Sequence, residues 1–414
     1  MSTLQPVRGT HDLLPEEMRR HRAVIERARG IAERYGFEEI ATPVFEFTDV
    51  FKRTLGDTSD IVTKEMYSFS LKEGEEITLR PENTAGVARA LISNGLHQNL
   101  PLKYFYAGPM FRHERPQKGR QRQFHQIGVE LLGAPQPQAD IEVIAVGRHI
   151  LQELGILQDT VLELNTLGDP ESRTAYRAAL VSYFEQHETS LSEDSRARLT
   201  RNPLRILDSK DEGDRKVVEG APAFEDYLNE TSQNFFAEVR RGLDELGIPY
   251  QLNSRLVRGL DYYTHTAFEF TSDRLGAQSA VLAGGRYDGL IETMGGPATP
   301  GIGWAAGIER LAMLVQDVSP APRAVAVIPV GEAAADQALK LTQELRHRGY
   351  VVDLGYSGNL KKRMKRANQM HARAAVMMGD DELKAGQVTL RDLDSGEQET
   401  LALDALPARL DTLY

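Results

Sequence analysis

Cysteine is absent from the 414 residues. No disulfide framework and no thiolate zinc site can form, and the chain suits a reducing compartment. Also missing is any uninterrupted apolar run of membrane-span length, and the opening residues, MSTLQPVRGTHDLLPEE, lack the apolar core of a secretion signal. A soluble cytoplasmic protein is the expectation, with no membrane partner. Positive charge is in short supply, the formal net charge being −11. That excludes a protein coated in basic surface, so any nucleic-acid contact falls to local patches. No Walker A string occurs, and the glycines at 301, 303 and 307 miss the dinucleotide-fingerprint spacing. Neither a P-loop nor a Rossmann nucleotide site is supported. Length, by contrast, allows about two to four domains with a substantial core.

The most informative stretch is Leu102 to Gly133, LKYFYAGPMFRHERPQKGRQRQFHQIGVELLG. Tyr104 to Tyr106 favour a strand, Pro116 to Gly119 supply a turn, and Gln123 to Leu132 return, so two antiparallel strands joined by a long loop are expected. Strand alternation puts Phe124, Gln126, Gly128 and Glu130 on one face and Ile127, Val129 and Leu131 on the other. The second face is apolar enough to bury. The first offers an aromatic ring, an amide and a carboxylate; the outgoing strand ends in Arg112-His113-Glu114-Arg115, and the loop adds Lys118, Arg120 and Arg122. Arginine forks beside a stackable ring suit an anion joined to a base, as in a nucleotide; the plainer alternative is a solvated basic hairpin.

The strings FRHER and RQFHQIGVE resemble motif 2 of the class II aminoacyl-tRNA synthetases, and most of all the histidyl-tRNA synthetase family. Other stretches extend the resemblance in order along the chain. RGTHDLLPEE resembles that family's opening. Val24, Ala28, Ile31, Ala32 and Tyr35 space a helix that Gly36 ends, and FEEIATPVFEF follows as an extended run broken by Pro43; together they resemble motif 1, the dimer-interface element. In TLRPENTAGVARALI the strand should stop at Pro81 and a helix start near Thr84, leaving Glu82-Asn83-Thr84 at the turn. A carboxylate there can hold an ammonium group or simply sit in an acidic first turn. Asn83 stands where the family pattern has glycine. LVRGLDYYTHTAFEF and AGGRYDGL match strings particular to the family, and GIGWAAGIER resembles motif 3, with Trp304 bulkier than the pattern.

The resemblance implies a class II synthetase-like α+β catalytic core on an antiparallel sheet, residues 1–320. Residues from about 170 to 246 are polar and helical in pattern and read as an insertion. The resemblance implies that this insertion approaches the tRNA acceptor stem; the residues alone would equally allow a bystander helical bundle. The resemblance also implies a C-terminal α/β anticodon-binding domain at 323–414. By the same resemblance the chain condenses histidine with ATP, accompanied by Mg2+, and passes histidine to its tRNA as a homodimer. Implied histidine-site residues are Glu82, Thr84, Arg112, Gln126, Glu130, Arg258, Tyr262 and Tyr263. Arg112, Glu114, Phe124 and Arg310 are implied at ATP, with Arg112 and Arg258 aimed at the α-phosphate and Arg258 doing what a metal does in relatives. The glycines of GIGWAAG are implied to let ATP approach the backbone. A catalytically silent relative serving as a regulatory subunit of ATP phosphoribosyltransferase is the alternative; intact arginines and the extra C-terminal domain weigh against it.

Beyond Val318-Ser319-Pro320-Ala321-Pro322 the apolar runs 324–330, 350–354 and 374–378 alternate with helical segments, as in a small parallel α/β domain. Residues 321–414 hold thirteen basic and thirteen acidic side chains, so the whole deficit of eleven charges lies upstream. Lys361, Lys362, Arg363, Lys365 and Arg366 crowd one helix. Either a solvated face or, following the resemblance, a phosphate-contacting surface would account for them.

Overall fold

The computed structural model describes residues 3–56, 59, 61–72, 74–116, 119–207, 209–256, 262–276 and 279–414. It divides into two compact units, Met1–Val318 and Ser319–Tyr414. Strands of the first unit are β1 (Glu38–Glu39), β2 (Phe45–Phe47), β3 (Tyr67–Ser70), β4 (Glu76–Leu79), β5 (Leu102–Phe111), β6 (Gln123–Leu132), β7 (Val161–Thr166), β8 (Gln251–Leu252), β9 (Thr264–Thr271), β10 (Ala280–Arg286) and β11 (Gly301–Gly307). Its helices are α1 (Pro15–Arg34), α2 (Thr48–Leu55), α3 (Thr84–Ser93), α4 (Pro137–Glu153), α5 (Pro170–Gln186), α6 (Glu193–Arg201), α7 (Glu212–Val218), α8 (Glu230–Glu245), α9 (Leu290–Thr293) and α10 (Ile308–Leu314).

Eight strands form the main sheet in the order β1-β5-β6-β11-β10-β9-β7-β8. The inner pairings are all antiparallel, as expected, while the short edge strands β1 and β8 pair in parallel. Ile127, Val129 and Leu131 are buried on one side of β6 with Phe268 and Phe270 of β9, covered by α1 residues Val24, Ala28 and Ile31 and α4 residues Val143, Ile144 and Ile150. Trp304 belongs to this covered side: it is 2% exposed and its Nε1 donates to the carbonyl of Val143 at 3.0 Å. The bulky ring therefore packs behind the sheet and leaves the other side clear. A fully buried ion pair ties the same layers together, Arg286 of β10 bonding Asp140 of α4. Removing one partner of such a pair costs about 3–5 kcal/mol, because the other charge is left stranded.

The segment FEEIATPVFEF is not one strand; its ends join different sheets, β1 the main one and β2 a three-stranded sheet with β4 and β3. The helices between about 170 and 246 do not share one core. Tyr176, Leu180, Phe184, Leu199, Ile206 and Val217 make a separate core for α5 to α7. Phe236, Val239 and Leu243 of α8 instead join the main core, so this helix covers the sheet.

The second unit has strands β12 (Val325–Pro329), β13 (Val352–Leu354), β14 (Ala374–Met378), β15 (Gln387–Asp392) and β16 (Gln398–Ala402), with helices α11 (Ala334–His347) and α12 (Leu360–Gln369). The expected parallel strands are β13-β12-β14, but β15 and β16 add an antiparallel hairpin at one edge. QVTLRD and QETLA are mostly polar, so apolar runs alone do not reveal them.

Candidate functional site

The uncovered side of β6, β11 and β10 forms the floor of a cavity of about 280 Å³. It gathers Glu82, Thr84, Arg112, Glu114, Phe124, Gln126, Tyr262, Tyr263 and Arg310 along its wall. Glu130 lies just beneath, 1% exposed. Residues far apart in sequence meet here because β5, β6 and β11 are neighbours, with Tyr104 opposite Glu130, Tyr106 opposite Gly128, and Gly303 opposite Glu130. Arg258 lies outside the described residues, as does Lys118.

One end of the cavity is carboxylate and phenol. Glu82 precedes α3 and caps it: its carboxylate accepts the backbone N–H groups of Thr84 at 2.6 Å and Ala85 at 3.0 Å. Asn83 needs no glycine-like backbone, since its φ is −114°, and its Oδ1 accepts from Arg80 and Thr42. The Thr84 hydroxyl donates to Oε1 of Glu130 at 2.6 Å, and the Tyr287 hydroxyl donates to Oε2. Burial raises the Glu82 carboxyl, and drives that of Glu130 up to about 8 despite those two hydrogen bonds. Tyr262 and Tyr263 flank this end with ring centroids 4.7 Å apart. Oε1 of Gln126 is buried and has no hydrogen-bond partner among the described residues, an acceptor suited to a polar guest.

The other end is cationic. The Arg112 guanidinium sits 5.3 Å from the Phe124 ring centroid and its Nε donates to the carbonyl of Pro81 at 2.9 Å. Glu114 pairs with Arg120 at 2.9 Å and with Arg112 at 3.8 Å. Arg310, in α10 just after β11, donates to the carbonyls of Ala280 at 2.8 Å and Gly119 at 3.4 Å. Burial lowers the Arg310 pKa, and it also feels Arg120, Glu114, Glu269 and Arg112. A ring face among several guanidinium groups has the chemistry to take a flat ring joined to an anion.

Two glycines of β11 lie hard against the protein's own side chains. A Cβ on Gly303 would fall 1.9 Å from Oε2 of Glu130, and one on Gly301 would fall 2.2 Å from the Tyr287 ring. Both clear space for the protein's own side chains. Only Gly307 is open, its nearest neighbour being Arg310 at 3.9 Å. Gly128 likewise admits Tyr106, whose ring lies 2.3 Å from where its Cβ would be. Tyr106 and Tyr287 are the site residues that sequence reasoning did not single out. A glycine facing a large residue on the adjacent strand is the available signal, but it requires the strand register.

An antiparallel sheet whose hairpin carries arginines around a stackable ring, and whose glycine-rich strand leads to a further arginine, is the catalytic architecture of the class II aminoacyl-tRNA synthetases. The particular branch follows from wider similarity. Residues 9–311 match the histidyl-tRNA synthetase family model and residues 324–413 the anticodon binding domain model. A histidine–tRNA ligase of Rhodospirillum rubrum is 65% identical over 98% of both chains, and that of Gluconacetobacter diazotrophicus 59% over 98% of both. The apo histidyl-tRNA synthetase of S. aureus superposes with a TM-score of 0.81 at 37% identity, covering 98% of both chains. The chain belongs to the histidyl-tRNA synthetase family.

Proposed function

We infer that this chain is a histidine–tRNA ligase, condensing L-histidine with ATP to histidyl-adenylate and passing histidine to the 3′ end of its tRNA in the cytoplasm. The observation that carries the reading is the division of one cavity into a carboxylate–phenol end and an arginine–aromatic end. An amino acid bearing an ammonium and an imidazole fits the first; adenine and phosphates fit the second. Glu130 with Tyr263 meets the imidazole, and Glu82, Thr84 and the buried Gln126 oxygen meet the ammonium. Phe124 stacks on adenine, Arg310 holds the terminal phosphate, and Arg112 and Arg258 stabilise charge growing on the α-phosphate. Glu114 and Glu269, carboxylates whose charge reaches Arg310, are hard oxygen donors of the kind Mg2+ takes. When bound with ATP, the ion supplies additional charge at the phosphates.

A homodimer is part of the proposal. Phe45, Phe47 and Phe69 are each at least half exposed, and their register puts them on one face of the three-stranded sheet. A second copy of the chain is the occupant inferred from the motif 1 resemblance. Sedimentation of Phe47→Lys beside the parent tests it, a shift toward monomer being expected. Residues 324–413 are taken as the reader of the anticodon.

Histidine-dependent ATP–pyrophosphate exchange on the purified full chain tests the central reaction. Exchange is expected with histidine and not with other amino acids. Histidine binding without exchange would instead favour the regulatory-subunit alternative.

A further inference from the structure

Three titratable side chains meet outside the roles assigned above. His21 comes from α1, His125 from β6 between Phe124 and Gln126, and Glu309 from the first turn of α10 beside Arg310. Their potential ligand atoms all lie within 4.8 Å of one another. His21 is 5% exposed and meets the His125 ring edge-on, with centroids 5.6 Å apart. Both oxygens of Glu309 accept the backbone N–H of His125, at 2.9 and 3.1 Å, and Oε1 is 2.9 Å from its Nδ1. A cavity of about 330 Å³ opens onto His21 and Glu309 and is also lined by His11 and Glu17.

We propose that His21, His125 and Glu309 form a zinc site, separate from any magnesium that accompanies ATP. Two imidazoles and one carboxylate are a borderline nitrogen–oxygen donor set, which favours Zn2+ over Mg2+. The backbone amide that holds Glu309 supplies the outer-shell orientation such ligands need. The cavity leaves room for a fourth ligand, either water or one of His11 and Glu17. Tetrahedral bonds of normal length put donor atoms roughly 3.4 Å apart, so binding requires the three side chains to draw together by about an ångström. His21 and Glu309 both line that cavity, so free volume lies beside them. Without metal the same atoms are a hydrogen-bonded His–Glu pair with a second imidazole packed on its edge. With metal they become a clamp joining α1 to the strand that carries Phe124 and the helix that carries Arg310.

The test uses the full chain, freed of metal by chelation and titrated with Zn2+ by calorimetry in excess Mg2+ and ATP, which occupy the hard oxygen donors. One equivalent per chain is expected, with a rise in thermal midpoint, since a ligand bound only by the folded state stabilises it. His21→Phe keeps the ring volume and the edge contact but removes the donor, and should weaken binding at least about tenfold. Absence of stoichiometric uptake by the parent, or equally tight uptake by a folded His21→Phe, would overturn the site. A measurement independent of any variant is zinc-edge X-ray absorption of the loaded parent. Two imidazoles in the metal's shell are expected; a shell of oxygen alone refutes the proposal.

Discussion

The cavity of the first unit and the basic helix of the second both present polar groups, yet they do so in opposite ways. In the cavity Glu130, Tyr106 and Tyr287 are at most 2% exposed and interlock with Gly128, Gly301 and Gly303 at distances that leave no room for a methyl group. Along α12, Lys361, Lys362 and Lys365 stand in solvent. Burial removes the competing water, so each group in the cavity has a large, position-sensitive effect. Exposure keeps water and salt in competition, so the helix acts additively and weakly. Substitutions should therefore behave differently in the two places, steeply in one and gently in the other.

The steepest loss should follow Glu130→Ala. A site built around a polar substrate group can discriminate by about 10⁴-fold or more, because its own buried group is otherwise left unpaired. Histidine activation should fall on that scale while ATP still binds, as read by pyrophosphate exchange and nucleotide titration. Unchanged histidine affinity would remove Glu130 from the role. Arg112→Ala comes next. Loss of one preorganised donor to transition-state charge costs about 10²–10³ in rate, and Arg258→Ala should do at least as much. Single-turnover adenylation checks both, with histidine binding little changed. Near-normal rates in folded variants would mean that the charge is stabilised elsewhere.

A smaller effect tests the interlock itself. Gly301→Ala drives a methyl into the Tyr287 ring, and overpacking of this kind costs about 1–3 kcal/mol of stability. Gly307→Ala meets nothing closer than 3.9 Å and should be tolerated. Thermal midpoints of the two variants make the comparison; equal midpoints would show that the strand simply gives way. Acidity offers another probe. Burial lifts the Glu130 carboxyl from the usual 4.5 to about 8, so across that window the folded chain keeps a proton that the unfolded chain releases. The contribution of this group to stability is full on the acid side and is lost as pH rises through the window. Glu130→Gln, uncharged and of similar shape, should make the midpoint fall less with rising pH than it does in the parent. Parallel slopes would mean that Glu130 is ionised throughout.

The sequence made the strands legible where periodicity was clean. Phe124, Gln126 and Glu130 alternate with Ile127, Val129 and Leu131, and the burial of the second set follows from that spacing alone. The cavity's cationic end was readable because arginines cluster locally around Phe124. Its acid end was only partly so. Tyr287 and Tyr106 matter through register, which depends on which strands become neighbours, and no local pattern encodes that. The same limit explains α8, whose polar helix pattern does not say which core Phe236 and Val239 join. β15 and the edge strand β16 escaped because their sequences are mostly polar.

The gentlest effect belongs to α12, where the five cations are not equivalent. Arg366 is held by Asp353 through two bonds of 2.9 and 3.1 Å, and Arg363 donates to the carbonyl of Pro329. Those two are anchored to their own unit. Lys361, Lys362 and Lys365 remain as the exposed cations with which this helix would meet phosphate, each acting by counterion release. Neutralising them one at a time should weaken tRNA binding a few-fold and lower the slope of log affinity against log salt by about one per contact. Arg363→Gln should instead lower the stability of the C-terminal unit and leave the slope nearly unchanged. Binding across a salt series with the full chain reads both quantities, and pyrophosphate exchange on the same preparations should not move. If the three lysine variants retain the parent's slope, α12 is a solvated face and the tRNA contacts of this unit lie on other residues.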